Sequence, residues 1–173
     1  EKENHGFGND FLSKTVQQWE NEVSKSSQLE LRTVLCRFGI ILDQQEGALS
    51  KIAFPYKSFI GGPIGNGRQW MSWIHIDDVV KGISFIINNE QINGPVNFTA
   101  PNPVTMNEFG KTLASILHRP HWLPVPSFAL RLLLGEMSTL VVDGQKVLPE
   151  KLLENGYQFK YSNLQLALKN IFS

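Results

Sequence analysis

The sequence predicts an α/β chain. Two observations carry this. A nearly continuous, β-branched apolar run spans 31–42, as in a strand buried on both faces of a parallel sheet, and segments with helix-period apolar stripes precede and follow it. Asp10 is placed to cap the first helix, Phe11 to Ser24, where Leu12, Val16, Trp19 and Val23 recur at spacings of three and four. The strand from Leu31 to Leu42 follows and requires neighbours on either side. Glu46 to Phe59 opens as a helix with Leu49, Ile52 and Ala53 on one face, and Pro55 is expected to disrupt it.

Gly61 to Gly67 is a turn-rich loop, and a strand through Met71, Trp73, Ile74 and Ile76 comes next. Asp77 or Asp78 is expected to cap a helix whose apolar positions are Val79, Val80, Ile83, Ile86 and Ile87. A short strand runs from Val96 to Thr99. Thr105 followed by Glu108 reads as a capping box for a helix to about Leu117. The tail divides into short helices at Ser127–Leu134, Val147–Leu153 and Leu164–Phe172, separated by Gly135, Gly144 and Gly156. The run Phe128 to Leu134 reads as core, with a partner surface as the alternative.

With 173 residues the chain is long enough for one domain with a core. Acidic and basic residues balance at 16 each, so no global field draws it to nucleic acid or an anionic membrane. Cys36, the single cysteine, lies in an apolar run and is expected to pack as a small hydrophobe. There is no signal-peptide pattern and no apolar stretch near the roughly 20 residues that span a bilayer. A soluble, reducing, cytoplasmic setting is the expectation.

Several long motifs carry a family resemblance. The run Gly61-Gly-Pro-Ile-Gly-Asn-Gly-Arg-Gln-Trp-Met-Ser-Trp-Ile-His-Ile-Asp-Asp78 resembles the signature segment of an epimerase-like family of atypical extended short-chain dehydrogenases. Asn97-Phe-Thr-Ala-Pro-Asn-Pro-Val-Thr105, Leu123-Pro-Val-Pro126 and Gly144-Gln-Lys-Val-Leu-Pro149 follow in the family's order. The resemblance extends from about Phe11 to the C-terminus. It implies the C-terminal part of a Rossmann-type fold with a small mixed α/β substrate domain: about 1–120 the end of the epimerase-like fold, about 121–173 a helical C-terminal domain of unknown function.

The same resemblance implies that NADP or NAD is bound mainly by an N-terminal Rossmann half. The dinucleotide fingerprint needs three spaced glycines between a strand and a helix, so that backbone amides approach the pyrophosphate. Gly65-Asn-Gly67 leads instead through Arg68, Gln69 and Trp70 into a strand. The nucleotide-binding half is therefore expected to lie outside this chain, as a fragment or one part of a longer polypeptide.

Chemistry in this superfamily rests on a Tyr-x-x-x-Lys pair, in which the lysine lowers the phenol's pKa. Alignment through Trp19-Glu20 puts Leu12 and Val16 at those positions. Neither transfers a proton, and Lys14 has Asp10 four residues earlier, so no catalytic residue is assigned. Two readings follow: an NAD(P)-dependent, nucleotide-sugar epimerase-like oxidoreductase acting on a small polar substrate, or a nucleotide-binding sensor or scaffold without turnover.

By resemblance, Phe38, Gly39 and Ile40 lie at the sheet's carboxyl end, where a nicotinamide approaches. Arg37 either touches the cofactor or pairs with Asp77 or Asp78, the ion pair being favoured because an unpaired buried guanidinium is costly. Arg68, Gln69, Trp70 and Trp73 form the substrate-facing set, a guanidinium for phosphate or carboxylate and two large aromatic faces, with a core role for both tryptophans as the alternative. Asp77 reads as a cap rather than an acid. His75 points away from Ile74 and Ile76 or is a satisfied interior imidazole. His118 and His121 are not expected to hold metal, since Pro120 interrupts any helix between them. The glycine loop 61–67 turns the chain, with anion binding through its amides as the alternative.

Overall fold

The computed structural model describes residues 3, 11–25, 31–45, 47–63, 65–124 and 144–173, backbone alone at 11–13 and 24. Asp10, the helix expected at Ser127–Leu134 and Gly135 lie outside these residues. Helix α1 spans Phe11–Ser24. Its apolar stripe is not packed inward: Val16 and Val23 are exposed and Trp19 is 67% exposed.

The strand expected over 31–42 is two strands, β1 (Val34–Phe38) and β2 (Ile40–Leu42), divided at Gly39. β1 pairs in parallel with β5 (Gly94–Phe98), from Val34 opposite Gly94 to Phe38 opposite Phe98. β2 pairs in parallel with β4 (Trp73–His75). The division follows from Gly39 itself. A Cβ there would lie 2.6 Å from the Ser72 carbonyl oxygen and 2.9 Å from Thr99 Cγ2, so only glycine lets the chain pass between them. Its amide donates to Phe98 O and the next amide, of Ile40, to Ser72 O.

The expected burial of 31–42 on both faces is corrected, because Phe38 is 47% exposed and Cys36 is exposed rather than packed as a small hydrophobe. Among the described residues β1 has a ladder partner in β5 alone. Helix α2 (Ala48–Lys57) runs through Pro55, against the expected break. Proline falls in its last turn, where it forfeits one amide bond, while Ile52, Ala53 and Tyr56 remain buried. The chain then leaves the helix as the amides of Ser58, Phe59 and Ile60 close on carbonyls of Phe54, Tyr56 and Pro55.

β3 (Trp70–Met71) pairs antiparallel with β6 (Val104–Thr105). Ile76 is not a strand residue; it opens helix α3 (Ile76–Ile87). The cap of α3 is His75, whose Nδ1 accepts the Asp77 amide at 3.0 Å, so the expected caps Asp77 and Asp78 stand in the first turn instead. Carboxylates there are favoured by the positive end of the helix dipole. Of the α3 apolar stripe, Val79 and Ile86 face the core, whereas Val80, Ile83 and Ile87 face out.

Thr105 caps α4 (Met106–Leu117) as expected, its hydroxyl accepting the Glu108 amide at 3.2 Å. The helix expected from Val147 begins at Glu150 (α5, Glu150–Glu154), because Pro149 disfavours helical backbone just before it. α6 spans Leu164–Phe172, with Asn163 as its cap.

Two apolar clusters form the core, and β2 and β4 lie between them. Trp73 and Leu42 join the cluster built by α2, α4 and α6, while their neighbours Ile74 and Ile41 turn to the cluster of Val79, Ile86, Val96 and Phe98. Successive side chains of a strand point to opposite faces, so these short strands fill both clusters at once. Among the described residues no helix is long and apolar enough to cross a membrane.

Candidate functional site

The parallel strands β1 and β5 end side by side at Phe38 and Phe98, whose rings lie 5.1 Å apart. Just beyond them Gly39 is flanked by Ser72 and Thr99. Both of these residues hold the segment 145–148. Ser72 Oγ donates to Gln145 O at 2.7 Å and accepts the Val147 amide at 2.9 Å, and Thr99 Oγ1 donates to Val147 O at 3.3 Å. Asn97 Nδ2 adds a bond to Leu148 O at 3.0 Å. A strap from the C-terminal part of the chain is thus stitched across the carboxyl end of the β1–β5 pair, where open α/β sheets build their ligand crevices.

Lys146 sits between the two bonds to Ser72, and its ammonium lies 4.6 Å from the centroid of the half-buried Trp70 ring. Sequence reasoning assigned no role to Lys146. The available signal was its place in the motif 144–149, but nothing local brings a lysine to a tryptophan 76 positions away. Arg68 is exposed, its amide held by Asn66 Oδ1 at 2.8 Å. Gln69 is half-buried, and its carbonyl accepts the Met106 amide at 2.9 Å. Trp73 does not join this set. It is 0% exposed, packed in the core, with its indole N–H donated to Asn102 O at 3.1 Å, so it has no face to offer a substrate.

Arg37 does not pair with Asp77 or Asp78. Its Nε and Nη2 donate to the two carboxylate oxygens of Glu20 at 2.8 and 2.7 Å, a two-point pair that ties β1 to α1. The carboxylates at 77 and 78 have other partners. Asp77 pairs with Lys160 at 2.9 Å on the surface, and Lys160's hydrogen bond holds the Asp77 carboxyl below its usual range. Asp78 is 0% exposed and accepts the amides of Lys160 and Tyr161, each at 2.8 Å. The Tyr157 hydroxyl donates to the Asp78 carbonyl at 2.9 Å.

His75 is buried, but the expected satisfied imidazole is only half so: Nδ1 accepts the Asp77 amide, whereas the buried Nε2 has no hydrogen-bond partner among the described residues, and the ring stacks on Tyr161 with centroids 3.9 Å apart. Burial lowers its pKa, against the opposing pull of Asp77 and Asp78.

The glycine loop is anchored by a second polar group. The Tyr56 hydroxyl lies 3.0 Å from His121 Nδ1 and 3.2 Å from Gly62 O, and His121 Nε2 lies 3.0 Å from Asn107 Oδ1. A neutral His121 protonated on Nε2 donates to Asn107 Oδ1, and the single Tyr56 hydroxyl proton is then shared between two acceptors, Gly62 O and His121 Nδ1, serving one at a time. Burial raises the Tyr56 phenol to about 12, and burial with Lys111 lowers His121. The amides of Trp122 and Leu123 donate to Gly61 O, and a Cβ at Gly62 would collide with the Leu123 backbone. His118 ends α4 in the left-handed region and is exposed. Among the described residues no cluster of three metal-binding side chains occurs.

With this geometry in hand, similarity to known proteins becomes informative. A family described as "Domain of unknown function (DUF1731)" matches residues 125–171. The chain is 54% identical over 164 residues to the epimerase family protein SAR0825 of Staphylococcus aureus (strain MRSA252), covering 95% of the chain and 55% of that protein. It is 50% identical over 164 residues to the epimerase family protein YfhF of Bacillus subtilis (strain 168), covering 95% and 54%. The crystal structure of human epimerase family protein SDR39U1 (isoform 2) with NADPH superposes with a TM-score of 0.88 at 32% identity, over 99% of this chain and 59% of the human one. The chain thus spans about half the length of the curated relatives it matches. Its mixed α/β architecture with parallel strands is that of Rossmann-type epimerase and short-chain dehydrogenase proteins. The chain is thus similar over nearly its whole length to epimerase family proteins, and its residues 125–171 match the domain of unknown function.

Proposed function

We propose that this chain is the substrate-side part of an NAD(P)-dependent, epimerase-like oxidoreductase. The observation that carries the reading is the convergence at Gly39, where the ends of β1 and β5, the Ser72–Thr99 flank and the 145–148 strap meet. In this reading the exposed Phe38, with Gly39 and Ile40, borders the nicotinamide, which when bound supplies hydride transfer. Arg37 is neutralised by Glu20 and orients α1 rather than gripping a phosphate. Arg68, Gln69 and Trp70 meet a small polar substrate, a nucleotide-sugar being the specific candidate, and residues from about 121 onward form the helical domain that closes the site. The human relative solved with NADPH supports NADP as the cofactor.

The test is calorimetric binding of NADPH and NADH to this chain and to the protein extended at its N-terminus to the length of its relatives. Binding by the extended protein alone is the expected result. Tight binding by this chain alone would overturn the division of labour.

A second reading, a nucleotide-binding sensor or scaffold without turnover, draws on Leu12 and Val16 at the Tyr and Lys positions of the superfamily. Robust hydride transfer by the extended protein would remove it.

A further inference from the structure

We infer that Glu3 is a positioning residue of the site, whose carboxylate roots the C-terminal strap to β5 and to the segment that leads into α1. The identity of the crevice beneath the strap rests on the proposed function. The hold itself rests on geometry. Glu3 is 6% exposed and is, with Asp78, one of the two carboxylates buried among the described residues. Its Oε1 accepts the amide of Asn97 at 3.3 Å and that of Lys151 at 3.2 Å. One oxygen thus bridges β5 and the first turn of α5, 148 positions downstream.

Both amides need an acceptor from outside their own element. A helix leaves its first amides without intrahelical acceptors, and Pro149, the cap of α5, supplies no side-chain bond. Glu3 fills that role from a distant part of the chain. Among the described residues β5 has a ladder partner in β1 alone, so the enclosed Asn97 amide turns to Glu3. A buried amide stripped of its acceptor is costly, which ties the placement of both elements to this one carboxylate.

The strap lies between these points and Ser72. Asn97, whose amide Glu3 holds, donates its own Nδ2 to Leu148 O at 3.0 Å, and Lys151 follows Leu148 by three residues. At the other end Gln145 and Val147 hang on the Ser72 hydroxyl. Without Glu3, Asn97 and Lys151 are free to shift together, and the bonds to Ser72 and Thr99 are left to fix the strap over the crevice.

Glu3 is itself held from behind. Its carbonyl accepts Arg37 Nη1 at 3.3 Å, and the same guanidinium grips Glu20 of α1 at two points. Glu3 precedes α1 by eight residues. On the proposed function it therefore stands where the nucleotide-binding half passes into this chain, and a displacement of that half reaches the strap through one side chain.

The experiment is hydrogen exchange read by mass spectrometry on the N-terminally extended protein, following peptides over 144–149 and, as an internal reference, over α4. Glu3→Ala should speed exchange at 144–149 by about tenfold or more while α4 changes by less than about twofold. Glu3→Gln keeps an oxygen at the same reach and should stay within about threefold of wild type. If Glu3→Ala does not fold, Glu3→Asp, which keeps the charge but is one methylene shorter, replaces it in the same comparison.

Unchanged exchange at 144–149 in the shortened variant would overturn the inference. Equal acceleration of the strap and α4 would do so too, since that is general loss of structure, as would a Glu3→Gln protein as fast as Glu3→Ala. NADPH calorimetry on the wild-type extended protein tests the proposed function separately. If NADPH fails to bind while strap exchange depends on Glu3, the cofactor reading falls and this one stands. If NADPH binds and strap exchange ignores Glu3, the reverse holds.

Discussion

Asp78 and Tyr161 stand 83 positions apart in sequence, yet the Tyr161 amide donates to Asp78 Oδ2 at 2.8 Å. The Lys160 amide donates to the other oxygen, also at 2.8 Å, so one enclosed carboxylate fixes the backbone that leads into α6 against the start of α3. The tail is secured by a buried acceptor rather than by apolar contact alone.

Asp78→Ala is therefore expected to destabilise the fold by about 2–4 kcal/mol, since it leaves two amides without their acceptor. Asp77→Ala, at the exposed pair with Lys160, should cost under about 1 kcal/mol. Urea denaturation of both variants checks this. Equal losses would show that burial of Asp78 is not what matters.

Gly39→Ala should cost about 1–3 kcal/mol, because the new methyl meets the Ser72 carbonyl and Thr99 Cγ2 at the point where β1 gives way to β2. The same strain should loosen the strap that Ser72 and Thr99 hold. Faster amide exchange at Val147 than in wild type is the expected signature, and unchanged exchange with normal stability would contradict the close packing described.

Acid should weaken the molecule through its buried imidazoles before the carboxylates titrate. Burial lowers His121, with Lys111 adding to the effect, and burial lowers His75 despite Asp77 and Asp78. The unfolded chain then binds more protons than the folded one between the two pKa values, so unfolding free energy rises with pH across that interval. This contribution is complete above the ordinary histidine value of about 6.5 and is lost as pH falls through it toward the folded values. The urea midpoint should be lower at about pH 5.5 than at about pH 7.5, and His121→Gln should flatten part of the difference. A midpoint that rises on acidification would refute the neutral His121 between Tyr56 and Asn107.

Cys36 is exposed on β1 in this chain, although its thiol pKa is raised by partial burial. A thiol reagent such as dithionitrobenzoate should label it readily in this chain at mildly alkaline pH. In the N-terminally extended protein labelling should slow by about tenfold or more if further strands cover β1, as the proposed function requires. Equal rates in the two proteins would count against that packing.

Local signals were legible wherever one segment decides its own structure. The helix at 11–24, the Thr105–Glu108 cap of α4 and the helix at 164–172 all follow from spacing and capping within a few residues. The resemblance to epimerase family proteins was legible for a similar reason, since long motifs in register survive without knowledge of packing. Pro55 misled because its cost depends on what the helix buries, and Ile52, Ala53 and Tyr56 hold α2 together past it. Ile76 misled because strand and helix meet at His75 with no intervening loop.

By itself the sequence determined the α/β class, most of the helices among the described residues and the resemblance to epimerase family proteins, because periodicity, caps and motif order are properties of neighbouring residues. Only the tertiary structure decided who partners whom. Arg37 found Glu20 instead of Asp77 or Asp78, Trp73 became core while Trp70 met Lys146, and Ser72 became the clamp on a strap 75 residues away. The physical reason is that a charge or hydroxyl can be satisfied by many partners of similar chemistry. Which one is within reach is set by how strands β1, β2, β4 and β5 bring distant segments together at Gly39, and no local pattern encodes that distance.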